Sequence, residues 1–318
     1  MDYMKETKEI SAEEAIILWQ ASRLSLSKSY EKAPEILKVH DSVIGTLGNF
    51  SASIGKAKSK KTFNVSAIVA AALKNGTVLR YVAELPEDKR KVLYVDTEQS
   101  PYHCLKVMTR ILRMAGLPDD RDNENLEFLA LRKYTPEQRI RIVEQAIYNT
   151  PEIGLVIIDG IRDMVYDINS PSESTRIISK LMQWTDDRQI HIHTILHQNK
   201  GDENARGHIG TELNNKAETV LLVEKDKGNS DISHVSAMHI RAMDFEPFAF
   251  CINDRALPEL AEGYKPEARK PGRPSVEKFD PYKDISEPQH RAALEDAFAL
   301  KEEYGYKELE DTLIRTYL

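Results

Sequence analysis

The chain has little cysteine, no long hydrophobic run and no excess of positive charge, and each shortage removes a class of protein. Two cysteines in 318 residues, Cys104 and Cys251, stand far apart without metal-type spacing. That excludes a disulfide framework or a zinc knuckle and predicts two buried, reduced thiols. No run approaches the apolar length that crosses a bilayer, and the amino terminus "MDYMKETKEISAEE" is charged where a secretion signal is greasy. A soluble, cytoplasmic chain without a membrane partner is expected. The formal net charge of -7 excludes a chain coated in nucleic-acid-binding charge, so any DNA contact has to come from a local basic surface. No internal repeat is present. With 41% hydrophobic and 30% charged residues, the composition suits one large core and a smaller appendage.

What the sequence does have is alternation. Short apolar runs at 49–54 ("NFSASI"), 91–97 ("KVLYVDT"), 126–131 ("LEFLAL"), 154–160 ("GLVIIDG") and 190–198 ("IHIHTILHQ") are separated by amphipathic stretches. This is the pattern of an α/β fold, a mostly parallel central sheet flanked by helices. The helices carry their own punctuation. Ser11 with Glu14 opens one running to about residue 26; another starts near Lys61 and is expected to end with Gly76 in a left-handed cap. Ser100 and Pro101 open a third that stops at Gly116, and Thr135 and Pro136 open a fourth. Past Lys216, "ETVLLVEKD", "SHVSAMHIRAMD" and "FEPFAFCIND" read as late antiparallel strands. The expected organisation is a helical segment at 1–33, the α/β domain at 34–256, a basic Pro/Gly linker at 257–280 and a small helical carboxyl-terminal tail at 281–318, split at Gly305.

The stretch "GKAKSKKT" (Gly55, Lys56, Ala57, Lys58, Ser59, Lys60, Lys61, Thr62) follows a strand and opens a helix, as a phosphate-binding loop does. Such a loop needs converging backbone N–H groups, a lysine for the terminal phosphates and a hydroxyl for magnesium. Lys60 stands where that pattern has a second glycine, and a basic turn before an ordinary helix is the alternative. Three strand ends bear on the choice. "YVDTEQ" ends with Asp96 and Glu98, where a carboxylate can deprotonate an attacking water. "LVIIDG" ends with Asp159, suited to the water shell of magnesium, and "TILHQN" ends with Gln198, an amide able to sense a terminal phosphate. Strand-end acids and amides also cap helices, so each alone has a structural alternative.

Together these segments, with "LHQNKGDENARGHIGTELNNKAE", resemble the RecA-like P-loop ATPases, and among them the hexameric RepA-type and DnaB-type helicases of plasmids, phages and mobile elements. The resemblance spans residues 34–253. It implies ATP and Mg2+ as ligands, Lys61 and Thr62 as phosphate and magnesium contacts, Glu98 as catalytic base, Asp159 as the magnesium-side acid and Gln198 as phosphate sensor. It further implies a homo-oligomer, a hexameric ring, with Arg241 in "HIRAMDFEPF" reaching a neighbour's site; a surface arginine on an edge strand is the alternative. The implied activity is that of an ATP-hydrolysing motor or loader on DNA, in replication or mobilisation. An ATP-dependent oligomerisation switch without translocation stands beside it, favoured by Lys60 and the acidic total charge.

Single-stranded DNA would meet Arg162, Lys200, Arg206 and Lys216 in the loops after the Asp159 and Gln198 strands, with a salt-sensitive, nearly sequence-blind grip, or those loops are simply solvated. "RKPGRPS" at 269–275 resembles an AT-hook, with Arg273 entering the minor groove of A·T-rich duplex; an ordinary basic linker is the other reading. His191, His193 and His197 recur with strand parity but lack a carboxylate or cysteine to complete a metal set, and read as core or helix-facing side chains. Trp19 and Trp184 read as helix residues explained by packing.

Overall fold

The computed structural model describes residues 10–198, 207–261, 263 and 286–317. The chain divides into two units, Met1–Pro266 and Glu267–Leu318. Along the first, α1 (Ala12–Ala21) precedes β1 (Glu35–Val39), β2 (Ser42–Thr46), β3 (Phe50–Gly55), α2 (Lys61–Lys74), β4 (Thr77–Val78) and β5 (Tyr81–Ala83). Then come β6 (Lys91–Asp96), α3 (Pro101–Ala115), β7 (Leu126–Ala130), α4 (Pro136–Asn149), β8 (Ile153–Asp159), α5 (Pro171–Arg188) and β9 (His191–His197). The last elements of this unit are α6 (Gly207–Lys216), β10 (Thr219–Lys225), β11 (Ile232–Ile240), β12 (Phe248–Ile252) and β13 (Pro258–Leu260).

The main sheet has nine strands in the order β13-β12-β11-β10-β3-β9-β8-β6-β7. From β10 to β7 every pairing is parallel, and β11, β12 and β13 add antiparallel strands at one side. The central parallel strands are covered on both faces, so β8, "IGLVIID", is buried at every position, while the edge strand β7 is only partly covered. Side-chain alternation divides the interior: Val92 and Tyr94 of β6 join α2 and α3 in one cluster, while Leu93 and Val95 join α4, α5 and α6 in the other.

The register decides where the strands stop together. Ile54 pairs with Leu196 and Gly55 with His197, while Asp96 pairs with Asp159 and Asp159 with Ile195. The carboxyl ends of β3, β9, β8 and β6 therefore share one sheet edge, the place where open parallel sheets bind ligands. Helix punctuation holds at Gly116, which takes φ 72 after α3, and at Thr135, whose capping box with Gln138 opens α4.

Several expectations need correction. The left-handed cap of α2 is Asn75 (φ 53), one residue before the glycine expected there; its side chain also accepts from the Leu85 amide. A four-stranded antiparallel sheet, β2-β1-β5-β4, was not anticipated, because its strands are short and interrupted by α2. The segment read as a long loop after Gln198 contains α6. Residues 258–260, read as linker, form β13 on the sheet edge. Trp184 is fully buried, but Trp19 is 62% exposed and α1 buries no residue, so packing does not explain it. Cys104 is buried, whereas Cys251 is half-buried.

In the second unit α7 (Glu287–Leu300) and α8 (Tyr306–Tyr317) flank Gly305. Its buried side chains include only small ones, Ala293 and Ala297, among the described residues. Lys301 pairs with Glu308 at 2.8 Å, and Tyr304 donates to the Ala297 carbonyl at 2.6 Å.

Candidate functional site

The loop after β3 winds tightly around its own lysine. Gly55 has no room for a side chain: a Cβ there would lie 2.2 Å from the Val223 carbonyl oxygen and 2.7 Å from Ser59 Oγ. Lys58 (φ 65) and Lys60 (φ 68) take the left-handed conformation that glycine adopts most easily. Lys60 thus reproduces the backbone of the missing glycine, and its side chain turns aside to donate to the Asp231 carbonyl at 2.6 Å. Lys61 opens α2 and is buried. Its ammonium donates to the carbonyls of Gly55 (2.8 Å) and Lys56 (2.9 Å) and to His197 Nδ1 (3.1 Å). Burial lowers its pKa to about 8, with Asp159 and Glu98 opposing.

The acids at the strand ends divide their work. Asp96 is fully buried and accepts from the backbone N–H groups of Glu98 and Gln99 and from Gln99 Nε2, so it shapes the turn into α3. Asp159 accepts from Thr62 Oγ1 at 3.2 Å and from the Tyr94 hydroxyl at 2.9 Å. Burial, then Asp96, pushes its carboxyl up to about 7. Glu98 is more exposed and lies 3.7 Å from His197 Nε2, beyond hydrogen-bond distance. The His197 contact comes first in holding the Glu98 carboxyl below its ordinary value; burial opposes it, and Lys61 and Arg162 add to it.

Lys61, Thr62, Glu98, Asp159 and His197 line a cleft of about 400 Å³, together with Ser59 and Arg110. Ser59 Oγ is buried and lacks a hydrogen-bond partner among the described residues, a donor held in reserve within the loop. A tight glycine turn, a buried ammonium and left-handed backbone at the head of a helix suit phosphate. A hydroxyl and a carboxylate 3.2 Å apart are hard oxygen donors that suit Mg2+.

The structure thus brings Lys58, Ser59, Lys60, Lys61, Thr62, Glu98 and Asp159 to one cleft, with Gly55 at the start of the loop. Gln198 completes the edge: its backbone N–H donates to the Gly55 carbonyl at 3.1 Å and its side chain is buried. Arg162 sits just past β8, exposed and paired with Asp163 at 3.1 Å. Lys216 is in the last turn of α6, paired with Glu212 at 2.8 Å. Since α6 leads into β10, whose Thr219 pairs with Ser51 near the start of β3, Lys216 belongs to the opposite sheet edge from Arg162. It does not share a surface with Arg162. Arg241 is at that opposite edge too; its N–H meets the Glu218 carbonyl and its guanidinium donates to the Lys216 carbonyl at 3.1 Å. Lys200, Arg206 and Arg273 lie outside the described residues.

Sequence reading passed over three residues of this site. His197 shared its strand parity with two buried histidines, but only it reaches the strand end. Tyr94 lies within an apolar strand, and nothing in the sequence marks its hydroxyl. Arg110, whose guanidinium lies 3.7 Å from the centroid of the Phe63 ring, had one available signal, a charge three residues after the buried Val107 on α3.

A parallel sheet with this loop after its central strand and acids at the adjoining strand tips is the arrangement of a P-loop nucleotide-binding fold. The family model described as AAA domain (AAA_25) matches residues 27–203, more than half of the chain, and the chain belongs to that family. Among solved structures it is similar to the one titled "Crystal structure of the RadB recombinase", with a TM-score of 0.47 and 15% identity, covering 68% of this chain and 92% of that one. A search of the curated proteins found no match.

Proposed function

We propose that the chain is a magnesium-dependent ATPase that assembles into a ring of identical subunits and acts as a motor or loader on DNA. The observation that carries the ATPase reading is the convergence of Lys61, Thr62, Asp159 and Glu98 on one cleft at the sheet edge, with Gln198 bonded through its backbone to the loop at Gly55. Lys61 exchanges the loop carbonyls it now contacts for phosphate oxygens. Glu98, held below its ordinary carboxyl value by His197, Lys61 and Arg162, accepts the proton of the attacking water. Gln198, bonded through its backbone to the loop at Gly55, reports the state of the terminal phosphate to the segment that follows. Thr62 and Asp159 would hold Mg2+, which would supply positive charge against the phosphates.

The assembly reading follows from Arg241. It belongs to the sheet edge opposite Lys61, so an Arg241 that stabilises phosphoryl transfer does so in a neighbouring subunit's site, beside the Arg110 that each cleft already holds. Arg162, exposed beside the Asp159 tip, is the described candidate for holding a DNA strand, with Lys200, Arg206 and Arg273 as further ones. The test is ATP turnover with and without single-stranded DNA at low salt, with molecular mass by light scattering. Turnover stimulated by DNA in an oligomer supports the motor. Unchanged turnover across DNA concentrations removes it, and a forked duplex that stays closed leaves an ATP-driven oligomerisation switch.

A further inference from the structure

We propose that Lys60 is a positioning residue that ties the phosphate loop to the turn between β10 and β11, an anchor in place of glycine's conformational freedom. A residue with a Cβ is held in the left-handed region against an intrinsic penalty of about 1 kcal/mol, and this loop places two there, Lys58 and Lys60. Something has to hold the loop in shape. Lys60 Nζ donates to the Asp231 carbonyl at 2.6 Å. The acceptor is itself fixed: Asp226 Oδ1 accepts from the N–H groups of Gly228 (2.9 Å) and Asn229 (2.6 Å), and Asn229 Oδ1 accepts from the Asp231 N–H at 2.9 Å. A stiff turn makes a useful anchor point because little order is lost when the lysine joins it.

The same hairpin also closes on the other end of the loop. The space above Gly55 is filled by the carbonyl of Val223 on β10. The loop is therefore gripped at its first glycine by the strand and at its last residue before Lys61 by the turn. Partial burial of the ammonium, which lowers the Lys60 pKa, fits a side chain seated rather than waving in solvent. On this arrangement the shape of the phosphate loop depends on the order of the β10–β11 hairpin, and the hairpin in turn is ordered by the loop.

This inference rests on reading the cleft as a nucleotide site, so its test has an arm that needs no nucleotide. The full chain and its Lys60→Met, Lys60→Gly and Lys60→Arg variants are compared in two ways: amide hydrogen exchange without nucleotide, and binding of a fluorescent ATP analogue with Mg2+. Met and Gly are expected to speed exchange in residues 56–62 and 226–232 together and to weaken analogue binding on the order of tenfold, the scale of a charge-assisted hydrogen bond. Arg is expected to restore both. A Gly variant that binds as tightly as the wild type, or tighter, with exchange at 226–232 unchanged, overturns the anchor and leaves Lys60 merely tolerated. If the wild type takes up no analogue, the nucleotide reading falls, and the exchange arm still decides the anchor.

Discussion

Lys61 and His197 face each other across the cleft, ammonium to ring nitrogen, at 3.1 Å. An ammonium can only donate, so His197 Nδ1 is the acceptor and its Nε2 carries the hydrogen, directed at Glu98 Oε1 3.7 Å away. One imidazole therefore connects the proposed phosphate lysine with the proposed catalytic base. His197 positions both.

The first prediction follows from that link. His197→Ala removes the leading influence that keeps the Glu98 carboxyl below its ordinary value. Glu98 must be ionised to act as a base, so raising its pKa moves the acid limb of the kcat profile to higher pH. Glu98 at its ordinary carboxylate value is still ionised at neutral pH, so the loss is expected in the acid limb, with kcat at neutral pH and analogue binding changed far less. A variant whose acid limb stays in place separates His197 from Glu98.

Lys61 sets function against stability. Its pKa is lowered to about 8 from 10.5 by burial, so the folded protein carries a charge it would rather shed. The sign follows from linkage. Below pH 8 both folded and unfolded forms are protonated and the penalty is fully present; between pH 8 and 10.5 the unfolded state holds more protons, and stability rises. Lys61→Met is therefore expected to abolish nucleotide binding while raising folding stability by roughly 1–2 kcal/mol at pH 7. The gap to the wild type should narrow as pH rises through that window. Denaturant unfolding across pH measures it, and a destabilised Met variant contradicts it.

What the sequence revealed of this site depended on where each residue sits relative to an apolar run. Asp159 and Gln198 were legible because each stands at the end of an apolar run, Asp159 directly after buried positions and Gln198 one residue further on, and a polar residue at such a boundary marks a strand tip. Glu98 was legible for the same reason, although nothing in the sequence distinguished its exposed role from the structural one of Asp96. His197 was lost to its own periodicity. The left-handed backbone at Lys60 could not be read at all, since it depends on a turn more than 160 residues away in sequence. Trp19 misled because α1 is apolar without having a core to face, and composition alone cannot tell a packed helix from an unpartnered one.

A third prediction concerns the sheet beneath the loop. His191 Nδ1 meets the Thr46 carbonyl at 2.8 Å, so it must donate, and its Nε2 accepts from Ser51 Oγ at 2.7 Å. Ser51 has one proton, so His193 Nδ1 donates to it at 2.7 Å and His193 Nε2 accepts from Ser53 at 2.8 Å. Both rings are neutral. Burial, then His191, lowers the pKa of His193 to about 3. A histidine depressed in this way favours the unfolded state as pH falls from 6.5 towards 3, because only the unfolded ring takes up the proton. Ser51→Ala breaks the chain at its centre and leaves two buried rings short of a partner. We expect a loss of about 2–4 kcal/mol in denaturant unfolding. A loss under about 0.5 kcal/mol is inconsistent with this wiring.

The last prediction tests assembly through Arg241. Between the edge where Arg241 follows β11 and the edge where Gly55 ends β3 lies the length of β3, Phe50–Gly55. At about 3.3 Å per residue that is roughly 16 Å, beyond the reach of one side chain already bonded to the Lys216 carbonyl. Arg241→Ala is therefore expected to leave analogue binding intact while hydrolysis falls by roughly 10³-fold, the scale of an arginine supplied in trans. Glu98→Gln is expected to bind nucleotide and fail to hydrolyse it for a different reason. Mixing the two inactive variants provides the decisive measurement: where a Glu98-bearing site borders an Arg241-bearing neighbour, one complete site is rebuilt and turnover returns in proportion to mixed contacts. If each variant alone is inactive and no mixture recovers activity under conditions where subunits exchange, Arg241 acts within its own chain or not at all.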